Sequence, residues 1–449
     1  MRILHYFLGF PPYRSGGLTK FAFDLMKAQL LNNHEVYALW PGTIIRLGGK
    51  PYIRKMRKIE GIKNFELINP LPVALDEGIV DFSYYMKTCD RSIYYEFLIG
   101  LGPDVIHIHT LMGLHREFFY EARRLKIKLV MTSHDYYGLC PKVTLFRNGI
   151  CCDDDDNCSM CIQCNSSALS MKKIVIMQSP IYRYFKDNII VKRLRSKHRR
   201  HFYDGMNNIC ESCTNTDGVA LRYQELRNYY IDIYKSIDFI HFNSTVAEKV
   251  YRRFFVPQDS QVVTITHQEI NKRISIRKEK DKLQLYFLSP TKSYKGFNVI
   301  KNALDRLWKE GNRGFVLYVF DEVYEKSPYM IIKANGYKYE ELPQIMANAD
   351  FVLAPSTCYE TFGFTVIEAL SFGVPVIVSS NVGAKDIIGE AGIIFTAGDS
   401  NQLFDIISSL DNKQIELLQN EAQKINIKTW DTFNSEIIDI YTKQRKILC

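Results

Sequence analysis

The sequence has 449 residues, of which 46% are hydrophobic and 24% charged, a composition typical of globular proteins and not of disordered or fibrous ones. This length exceeds what one hydrophobic core usually serves, so we expect two domains. No apolar run approaches the length that spans a bilayer. The first ten residues lack the long apolar region and cleavage site of a secretory signal. They are typical of a first buried strand, and we expect a cytoplasmic protein.

The net charge of +9 favours an anionic substrate or an anionic membrane surface. Part of the excess is local, because the segment Met171–Arg200 contains ten Lys or Arg residues and one acid, with apolar residues between them. Such a stretch can lie on an anionic bilayer, and the alternative is a solvated charged face over a domain core. No nucleic-acid-binding module accompanies the charge, so we expect no nucleic acid partner.

Short apolar runs alternate with helix-period segments along the chain, which predicts βα units and parallel sheets. The first set of predicted strands comprises Ile3–Gly9, Glu35–Leu39, Phe65–Ile68, Asp104–His109 and Lys128–His134. The second set comprises Phe239–Phe242, Val262–Thr266, Leu283–Leu288, Phe315–Phe320, Met330–Lys333, Asp350–Ala354 and Pro375–Val378. Two such sets predict two doubly wound α/β domains, with the join near Tyr229–Ile237.

Residues 140–217 fit neither of the two sets of alternating strand and helix segments. This block holds eight of the eleven cysteines and the basic stretch, and we interpret it as an insertion on the N-terminal domain. We therefore predict an N-terminal domain over residues 1–235, a second domain over 236–428 and a terminal segment over 429–449.

Two carboxylates eight residues apart, Glu360 and Glu368, follow the predicted strand Asp350–Ala354. The next helix is expected to begin within Phe362–Thr365, which leaves Glu360 in the loop before it and Glu368 inside it. Backbone N–H groups at a helix start favour a phosphate, and carboxylates accept hydrogen bonds from the hydroxyls of sugars and ribose. Two glutamates at this spacing are often merely solvated, so the spacing alone decides little.

The residues around this pair resemble a known family. The segment Tyr359–Leu370 resembles the E-x7-E motif of retaining glycosyltransferases of family 4, and the likeness continues through Leu370–Ile377 and Gly383–Ile388 to the Gly398-Asp399 turn. The resemblance implies the GT-B fold, in which two Rossmann-like domains face each other across a cleft. It also implies that a terminal helix, within residues 429–449, crosses back onto the first domain.

The resemblance assigns roles to residues of the second domain. Glu360 would contact hydroxyls of the donor sugar, Glu368 would accept from the ribose, and the backbone near Gly336 would recognise the nucleobase. The residues expected to bind the donor are Gly16, Gly17, Lys292, Gly336, Tyr337, Phe362, Gly363, Phe364, Thr365 and Glu368.

A second motif follows the predicted strand Leu283–Leu288. Lys295 resembles the lysine of the family's R-x4-K-G phosphate clamp, but Pro290 stands where the arginine is expected. Lys292 would supply a second positive charge, or it is a solvated surface lysine. At the front of the chain, paired Gly16 and Gly17 expose N–H groups to an anion, and they resemble the loop that faces the donor phosphates.

Histidines end two strands of the first set. In open α/β sheets, ligands gather outside the carboxyl ends of the strands, although a histidine there is often only a structural hydrogen-bonding residue. The family places a histidine beside the donor sugar at the position of His134. We expect Glu360, His134 and Lys295 to carry catalysis, with His109 and His115 on the acceptor side.

Cysteine pairs suggest a metal in the insertion. The pairs Cys158/Cys161 and Cys210/Cys213 have the two-residue spacing that lets both thiolates bind one tetrahedral zinc. We predict a structural zinc at these four residues, with free thiols and disulfides as the alternatives. No catalytic metal is expected.

Together these features predict a retaining, metal-independent hexosyltransferase. It would move a sugar from a nucleoside diphosphate sugar to a glycan or lipid-linked glycan, in the synthesis of capsule, exopolysaccharide or O-antigen. The basic stretch would hold it on the inner face of the plasma membrane. Two alternatives stay open: a nucleotide-sugar epimerase of the same fold, and a catalytically degenerate nucleotide-sugar-binding subunit, which the missing arginine favours.

Overall fold

The structure is a computed structural model in which residues 1–14, 16–73, 78–147, 149–153, 158–166, 168–186, 188, 191, 217–273 and 280–444 are described. The strands are β1 (Arg2–Tyr6), β2 (Glu35–Pro41), β3 (Tyr52–Lys55), β4 (Lys63–Ile68), β5 (Val105–Ile108), β6 (Lys128–Thr132), β7 (Phe146–Arg147), β8 (Ile150–Cys151), β9 (Phe239–Phe242), β10 (Ser260–Val262), β11 (Leu283–Phe287), β12 (Phe315–Val319), β13 (Met330–Ile332), β14 (Phe351–Ala354), β15 (Val376–Ser379) and β16 (Gly392–Phe395).

Helices alternate with most of these strands. Those of the described residues are α1 (Gly17–Leu31), α2 (Phe82–Tyr85), α3 (Ser92–Leu101), α4 (Arg116–Arg124), α5 (Ser159–Cys164), α6 (Met171–Met177), α7 (Pro180–Phe185), α8 (Asp217–Lys235), α9 (Thr245–Arg252), α10 (Phe297–Lys309), α11 (Leu342–Met346), α12 (Phe364–Ser371), α13 (Ser400–Ser409), α14 (Asn412–Lys424) and α15 (Trp430–Thr442). Short 3-10 turns cover Ser293–Lys295, Tyr339–Glu341 and Gly383–Ile387. Within the described ranges, no helix combines the length and apolarity needed to cross a bilayer.

The first sheet has eight strands in the order β10-β9-β6-β5-β1-β2-β4-β3. Neighbouring strands are parallel except β3, which pairs antiparallel with β4 at the edge. The central strands are buried on both faces, which explains why they appear in the sequence as continuous apolar runs. The predicted strands of the first set are all present, whereas the edge strand β3 was missed because it is short and mostly exposed.

The predicted join between the domains is wrong. Strands β9 and β10, which we assigned to the second sheet, belong to the first, where β9 pairs with β6. Helix α8 returns the chain to the open edge beside β6, and an apolar run does not show which edge it will join. The change of sheet therefore falls between Val262 and Leu283, and not near Tyr229–Ile237.

The second sheet has six parallel strands in the order β13-β12-β11-β14-β15-β16. Each of its predicted strands is present, and β16 was missed. The centre of the sheet places β11 beside β14, with Leu285 opposite Phe351. The loops that leave the carboxyl ends of these two strands therefore meet, and they contain Lys295 and Glu360.

The block between β6 and β9 contains a small hairpin, β7–β8, followed by helices α5, α6 and α7. The hairpin turns toward the second domain, while α6 and α7 leave several apolar side chains exposed. Residues 192–216 of the block lie outside the described part of the chain.

The terminal helix α15 packs against the first domain. Phe433 lies 5.4 Å from the ring of Phe21 on α1, and the ammonium of Lys128 donates to the carbonyl oxygen of Ile440 at 2.5 Å. The same hydrophobic cluster continues through Val366 of α12 into the second domain. The helix thus fastens the end of the chain to the first sheet beside the interdomain cleft.

We expect Phe433→Ala to lower the free energy of unfolding by about 3–5 kcal/mol, because it removes a fully buried ring and leaves a cavity. Urea unfolding measures the change. Ser435→Ala, an exposed change on the same helix, is the control and should stay within about 0.5 kcal/mol of the parent protein. Equal stability of both variants would show that α15 does not hold the fold.

Candidate active site

An ion pair lies where β11 and β14 end. The ammonium nitrogen of Lys295 is 2.9 Å from Oε1 of Glu360. Lys295 stands in the 3-10 turn after β11, and Glu360 stands in the loop between β14 and α12. Because the two strands are neighbours, these loops leave the sheet side by side. The two catalytic candidates that the sequence places 65 residues apart are thus in direct contact.

The surroundings keep both partners charged. Burial raises the pKa of Glu360, but the nearby Lys295 ammonium and hydrogen bonds from Lys295 and the Ser356 hydroxyl outweigh it, so its pKa lies below the usual range. Burial also acts to lower the pKa of Lys295, and the attraction of Glu360 reverses this and raises it. The site therefore holds a carboxylate beside an ammonium at neutral pH.

Two glycines allow the loops to approach. Gly296 has a φ of +79°, and a Cβ there would lie 1.9 Å from the carbonyl oxygen of Pro355. Gly363, at φ +111°, caps the start of α12, where a Cβ would come within 2.9 Å of Val382. Only glycine tolerates both the conformation and the space at these positions. The loop that contains Glu360 can thus turn directly into the start of α12.

Glu368 lies one helical turn further along α12. Its Oε1 is 3.4 Å from Nε2 of His267, a side chain that is 4% exposed and lies against the rings of Tyr339 and Phe364. Neither ring nitrogen of His267 has a hydrogen-bond partner within the described residues. A buried polar ring without partners indicates that a ligand group or water completes this end of the site. His267 was not predicted from the sequence, although it directly follows the predicted strand Val262–Thr266.

The first domain meets this site from the other side of the cleft. A Cβ on Gly17 would lie 3.4 Å from the ring of Phe364, so the paired glycines face the start of α12. Thr361, next to Glu360, donates its hydroxyl to the carbonyl oxygen of His134 at 3.1 Å. The predicted glycine loop, His134 and the Glu360 loop are therefore assembled at one place.

The hairpin β7–β8 also reaches the Glu360 loop. The thiol of Cys151 donates to the carbonyl oxygen of Thr357 at 3.0 Å. Just after the hairpin, Asp153 accepts a 2.7 Å hydrogen bond from the hydroxyl of Tyr359 and pairs with Arg253. No sequence signal identified this contact, because it joins residues about 200 positions apart.

Other predicted donor residues occupy the rim of the site. Tyr337 packs edge-on against Phe320, with ring centroids 5.3 Å apart, in the loop that contains Gly336. The ammonium of Lys292 donates to the hydroxyl of Tyr294 at 2.9 Å. Phe362 is buried behind the start of α12, and Thr365 lies in the first turn of that helix.

The predicted acceptor-side histidines differ in position. His109 is fully buried, and both its ring nitrogens are hydrogen-bonded to other histidines, so the prediction that it lines the acceptor side is wrong. His115 donates to or accepts from Tyr94 at 2.8 Å. It also borders a cavity of about 620 Å³ in the first domain, which is lined by Arg46, Leu47, Lys50, Tyr52, Tyr84 and Lys87.

The cysteines predicted to bind zinc are only partly described. Cys158 immediately precedes α5, and Cys161 lies within it. Cys210 and Cys213 lie outside the described residues. The structural zinc therefore stays a prediction.

Residues 283–412, which include Lys295, Glu360 and Glu368, match the family of glycosyl transferases group 1. The chain contains a glycosyl transferases group 1 domain. Its strands β11 to β16 form the second sheet described above, so the family match and the candidate site coincide.

Relatives extend the glycosyltransferase likeness beyond this domain. The chain is 24% identical over 260 residues to an uncharacterized glycosyltransferase of Methanocaldococcus jannaschii, covering 52% of this chain and 65% of the relative. It is 30% identical over 106 residues to the O-antigen chain mannosyltransferase B of Escherichia coli, covering 23% and 27%. In both comparisons the chain spans less than two thirds of the relative's length.

A solved structure covers the whole architecture. HepE of Anabaena, in complex with UDP and glucose, superposes with a TM-score of 0.54 at 14% identity, covering 98% of this chain and 99% of that one. This likeness concerns the fold, and the predicted GT-B fold is confirmed. The group 1 domain is therefore the second of two facing α/β domains.

We expect Glu360→Gln to destabilise the protein by about 1–3 kcal/mol near neutral pH, because it removes the charged partner of Lys295. The folded-state pKa of Glu360 is depressed, so its contribution is present above the unfolded value and is lost as pH falls through the folded value. The difference in the free energy of unfolding between the Glu360→Gln variant and the parent should therefore shrink below about pH 4. Urea unfolding between neutral and acidic pH measures it.

Glu340→Gln is the control, since Glu340 is exposed on the rim of the same domain. It should change stability little at any pH. A Glu360→Gln difference that stays constant from neutral to acidic pH would contradict the ion-pair argument.

Proposed function

We propose that the protein is a retaining glycosyltransferase that moves a sugar from a nucleoside diphosphate sugar to a glycan acceptor in surface polysaccharide synthesis. The observation that carries the proposal is the Lys295–Glu360 pair at the start of α12, opposite Gly17. A nucleotide-sugar donor is supported by HepE, solved with UDP and glucose. A glycan acceptor is supported by the O-antigen mannosyltransferase.

The donor would lie along the edge of the second sheet. Its nucleoside would reach the loop of Gly336 and Tyr337, with the ribose at Glu368. There the ring of His267, which lies 3.4 Å from Glu368 and makes no hydrogen bond within the described residues, offers a further polar contact. The diphosphate would lie between Lys295 and the N-terminus of α12, where N–H groups and the helix dipole favour negative charge. The sugar would then meet Glu360.

In the reaction, the bond between the anomeric carbon and the diphosphate oxygen breaks, and the acceptor oxygen bonds to that carbon on the same face. The acceptor proton passes to the leaving phosphate oxygen, so the products are a glycoside and a nucleoside diphosphate. Negative charge that develops on the departing diphosphate is stabilised by Lys295 and the N–H groups of α12. No conventional general base and no catalytic metal are required by this scheme.

The acceptor would enter from the first domain. The cavity bordered by His115 has a basic and aromatic lining that includes Arg46, Lys50 and Tyr52. Such a lining suits a glycan with anionic groups, because aromatic faces pack on sugar rings while lysine and arginine pair with phosphate or carboxylate. We therefore assign this cavity to the acceptor.

The function is tested with purified protein and a panel of nucleoside diphosphate sugars. We expect one donor to be hydrolysed slowly and to be consumed faster when a glycan acceptor is added. Glu360→Ala should lower this turnover at least about 100-fold, since it removes a group that acts on the reacting sugar. Glu390→Ala, an exposed glutamate of the same domain, should turn over like the parent.

Two results would contradict the proposal. Epimerised nucleotide sugar formed without an acceptor would indicate an epimerase. Measurable donor binding without turnover of any donor would indicate a degenerate binding subunit.

We also propose that α6 and α7 rest on an anionic membrane. Ile181 and Tyr184 are 73% and 82% exposed, and Phe185 is half exposed beside them. Lys172 and Lys173 are exposed on α6, the helix that precedes α7. Apolar side chains that enter the acyl boundary, with lysines at the headgroups, are the combination that interfacial helices use. This placement suits a lipid-linked acceptor.

Replacing Ile181, Tyr184 and Phe185 together by serine should weaken binding to vesicles containing phosphatidylglycerol at least about tenfold, because each buried side chain contributes on the order of 1.5–3 kcal/mol. Co-sedimentation with vesicles measures binding. Leu417→Ser removes an equally exposed apolar side chain from the second domain and should have no effect. Equal binding of the triple variant and the parent would refute the membrane proposal.

A further inference from the structure

The carboxyl edge of the first sheet contains a cluster of histidines. His5 lies on β1, His107 on β5 and His241 on β9, while His109 directly follows β5 and His134 lies two residues after the end of β6. All lie on four adjacent strands, since the sheet runs β9-β6-β5-β1. The rings of His107 and His109 stack at 4.2 Å, and those of His109 and His134 at 5.4 Å. Hydrogen bonds link these rings into a single path.

One end of the path is fixed by a backbone carbonyl, which can only accept. Nε2 of His241 lies 2.6 Å from the carbonyl oxygen of Val263 and must donate to it. A neutral ring then accepts at Nδ1, so the hydroxyl of Thr132 donates to His241 at 3.0 Å. Thr132 in turn accepts from Nε2 of His107 at 2.7 Å. Nδ1 of His107 must therefore accept, and it receives the hydroxyl of Tyr441 at 2.5 Å.

The hydrogen-bonded path continues from Tyr441 to the cleft. Having donated its one proton, the Tyr441 oxygen accepts from Nε2 of Gln29 at 3.1 Å, which orients the amide. The amide oxygen of Gln29 then accepts from Nε2 of His5 at 2.7 Å. Nδ1 of His5 accepts from Nε2 of His109 at 3.0 Å. Finally, Nδ1 of His109 accepts from Nε2 of His134 at 3.2 Å.

Each ring of the path carries a single proton at neutral pH. Burial lowers the pKa of His134 to about 3 and those of His5 and His241 to about 4. Burial, followed by the neighbouring histidines, lowers the pKa values of His107 and His109 as well. At neutral pH the rings are uncharged, and each can donate from one nitrogen only.

We propose that this chain of eight hydrogen bonds, running from the Val263 carbonyl to His134, fixes His134 in the Nε2–H tautomer. Its Nδ1 then presents a lone pair. His134 is only partly buried, and its hydrogen bond to His109 uses Nε2, not Nδ1. Tyr441 and Gln29 are the positioning residues. Each side chain accepts one hydrogen bond of the path and donates the next, so it passes the donor direction from one histidine to another. The terminal helix thereby sets the tautomer of a ring at the cleft.

The inference rests on the proposed function for its chemical meaning. Under the proposed function, a donor sugar that faces His134 would have to present a hydrogen-bond donor, a hydroxyl or an amide N–H, to Nδ1. A sugar that has no such group at this position would leave the lone pair unmatched.

A metal is the competing explanation for part of the cluster. His5, His107 and His109 can each aim one nitrogen at a common point, with the ligand atoms within 4.8 Å of one another. Each of their six ring nitrogens already has a hydrogen-bond partner on the path. A metal would have to displace several of these bonds, so we assign the cluster to the chain.

The test is the tautomer itself, measured in the free protein by two-bond ¹H–¹⁵N correlation on deuterated protein with ¹⁵N-labelled histidine. His134→Asn identifies the signals of His134. We expect the parent to show His134 with its proton on Nε2. Tyr441→Phe removes the hydroxyl that relays the path, and the ratio of the two His134 tautomers should fall at least about fivefold.

Matched variants distinguish loss of the hydrogen-bonded path from a nonspecific disturbance of the fold. Tyr94→Phe removes another buried tyrosine hydroxyl bonded to a histidine, His115, outside the path, and should leave His134 unchanged. Thr132→Val breaks the path at a second point, and Thr132→Ser should restore it. These variants give the answer even if Tyr441→Phe fails to fold.

These measurements test the relay without relying on catalytic activity. A proton on Nδ1 of His134 in the parent, unchanged tautomers in both Tyr441→Phe and Thr132→Val, or the signature of metal ligation at His5, His107 and His109 would each overturn the proposal. If the tautomers behave as expected but no nucleotide sugar is turned over, the relay stands and the proposed function falls.

Discussion

The ion pair between Lys295 and Glu360 is the constraint on which the site depends. Two partly buried opposite charges are tolerable only together, because removing either partner leaves the other uncompensated in a poorly solvated place. The pairing of β11 with β14 supplies the proximity, and Gly296 removes the side chain that would hold the loops apart. A pair anchored in this way places a carboxylate and an ammonium at the start of α12 before any ligand arrives. Preorganised charge of this kind needs little rearrangement during reaction.

The terminal helix links the two halves of the molecule. Through Phe433 it shares a hydrophobic cluster with α1 and α12, and through Tyr441 it joins the hydrogen-bonded histidines of the first sheet. Apolar packing of this sort is non-directional, whereas hydrogen bonds define which atom donates and which accepts. One helix therefore contributes apolar packing between the domains and directional hydrogen bonds to the histidines at the cleft.

Much of the architecture was predictable from the sequence, because buried parallel strands are continuous apolar runs and the Glu360–Glu368 segment has a distinctive pattern. The contact of Glu360 with Lys295 follows from the pairing of β11 with β14, which the sequence did not show, and the contact of Gly17 with Phe364 on α12 was likewise not predicted. Sheet membership was not predictable, since β9 joins whichever edge the preceding helix reaches. His109 was misassigned because a strand-end position does not reveal which neighbouring rings will enclose it.

The hairpin β7–β8 has a consequence for how ligands on the two domains influence each other. Cys151 and Asp153 belong to the first domain's chain but hold the loop that ends in Glu360. A ligand that shifts this hairpin must change the energy of the Glu360 loop, and thermodynamic linkage makes the effect mutual. Under the proposed function, the affinities for donor and acceptor would be properties of one coupled unit, so each affinity measured without the other ligand would describe a different state of the protein.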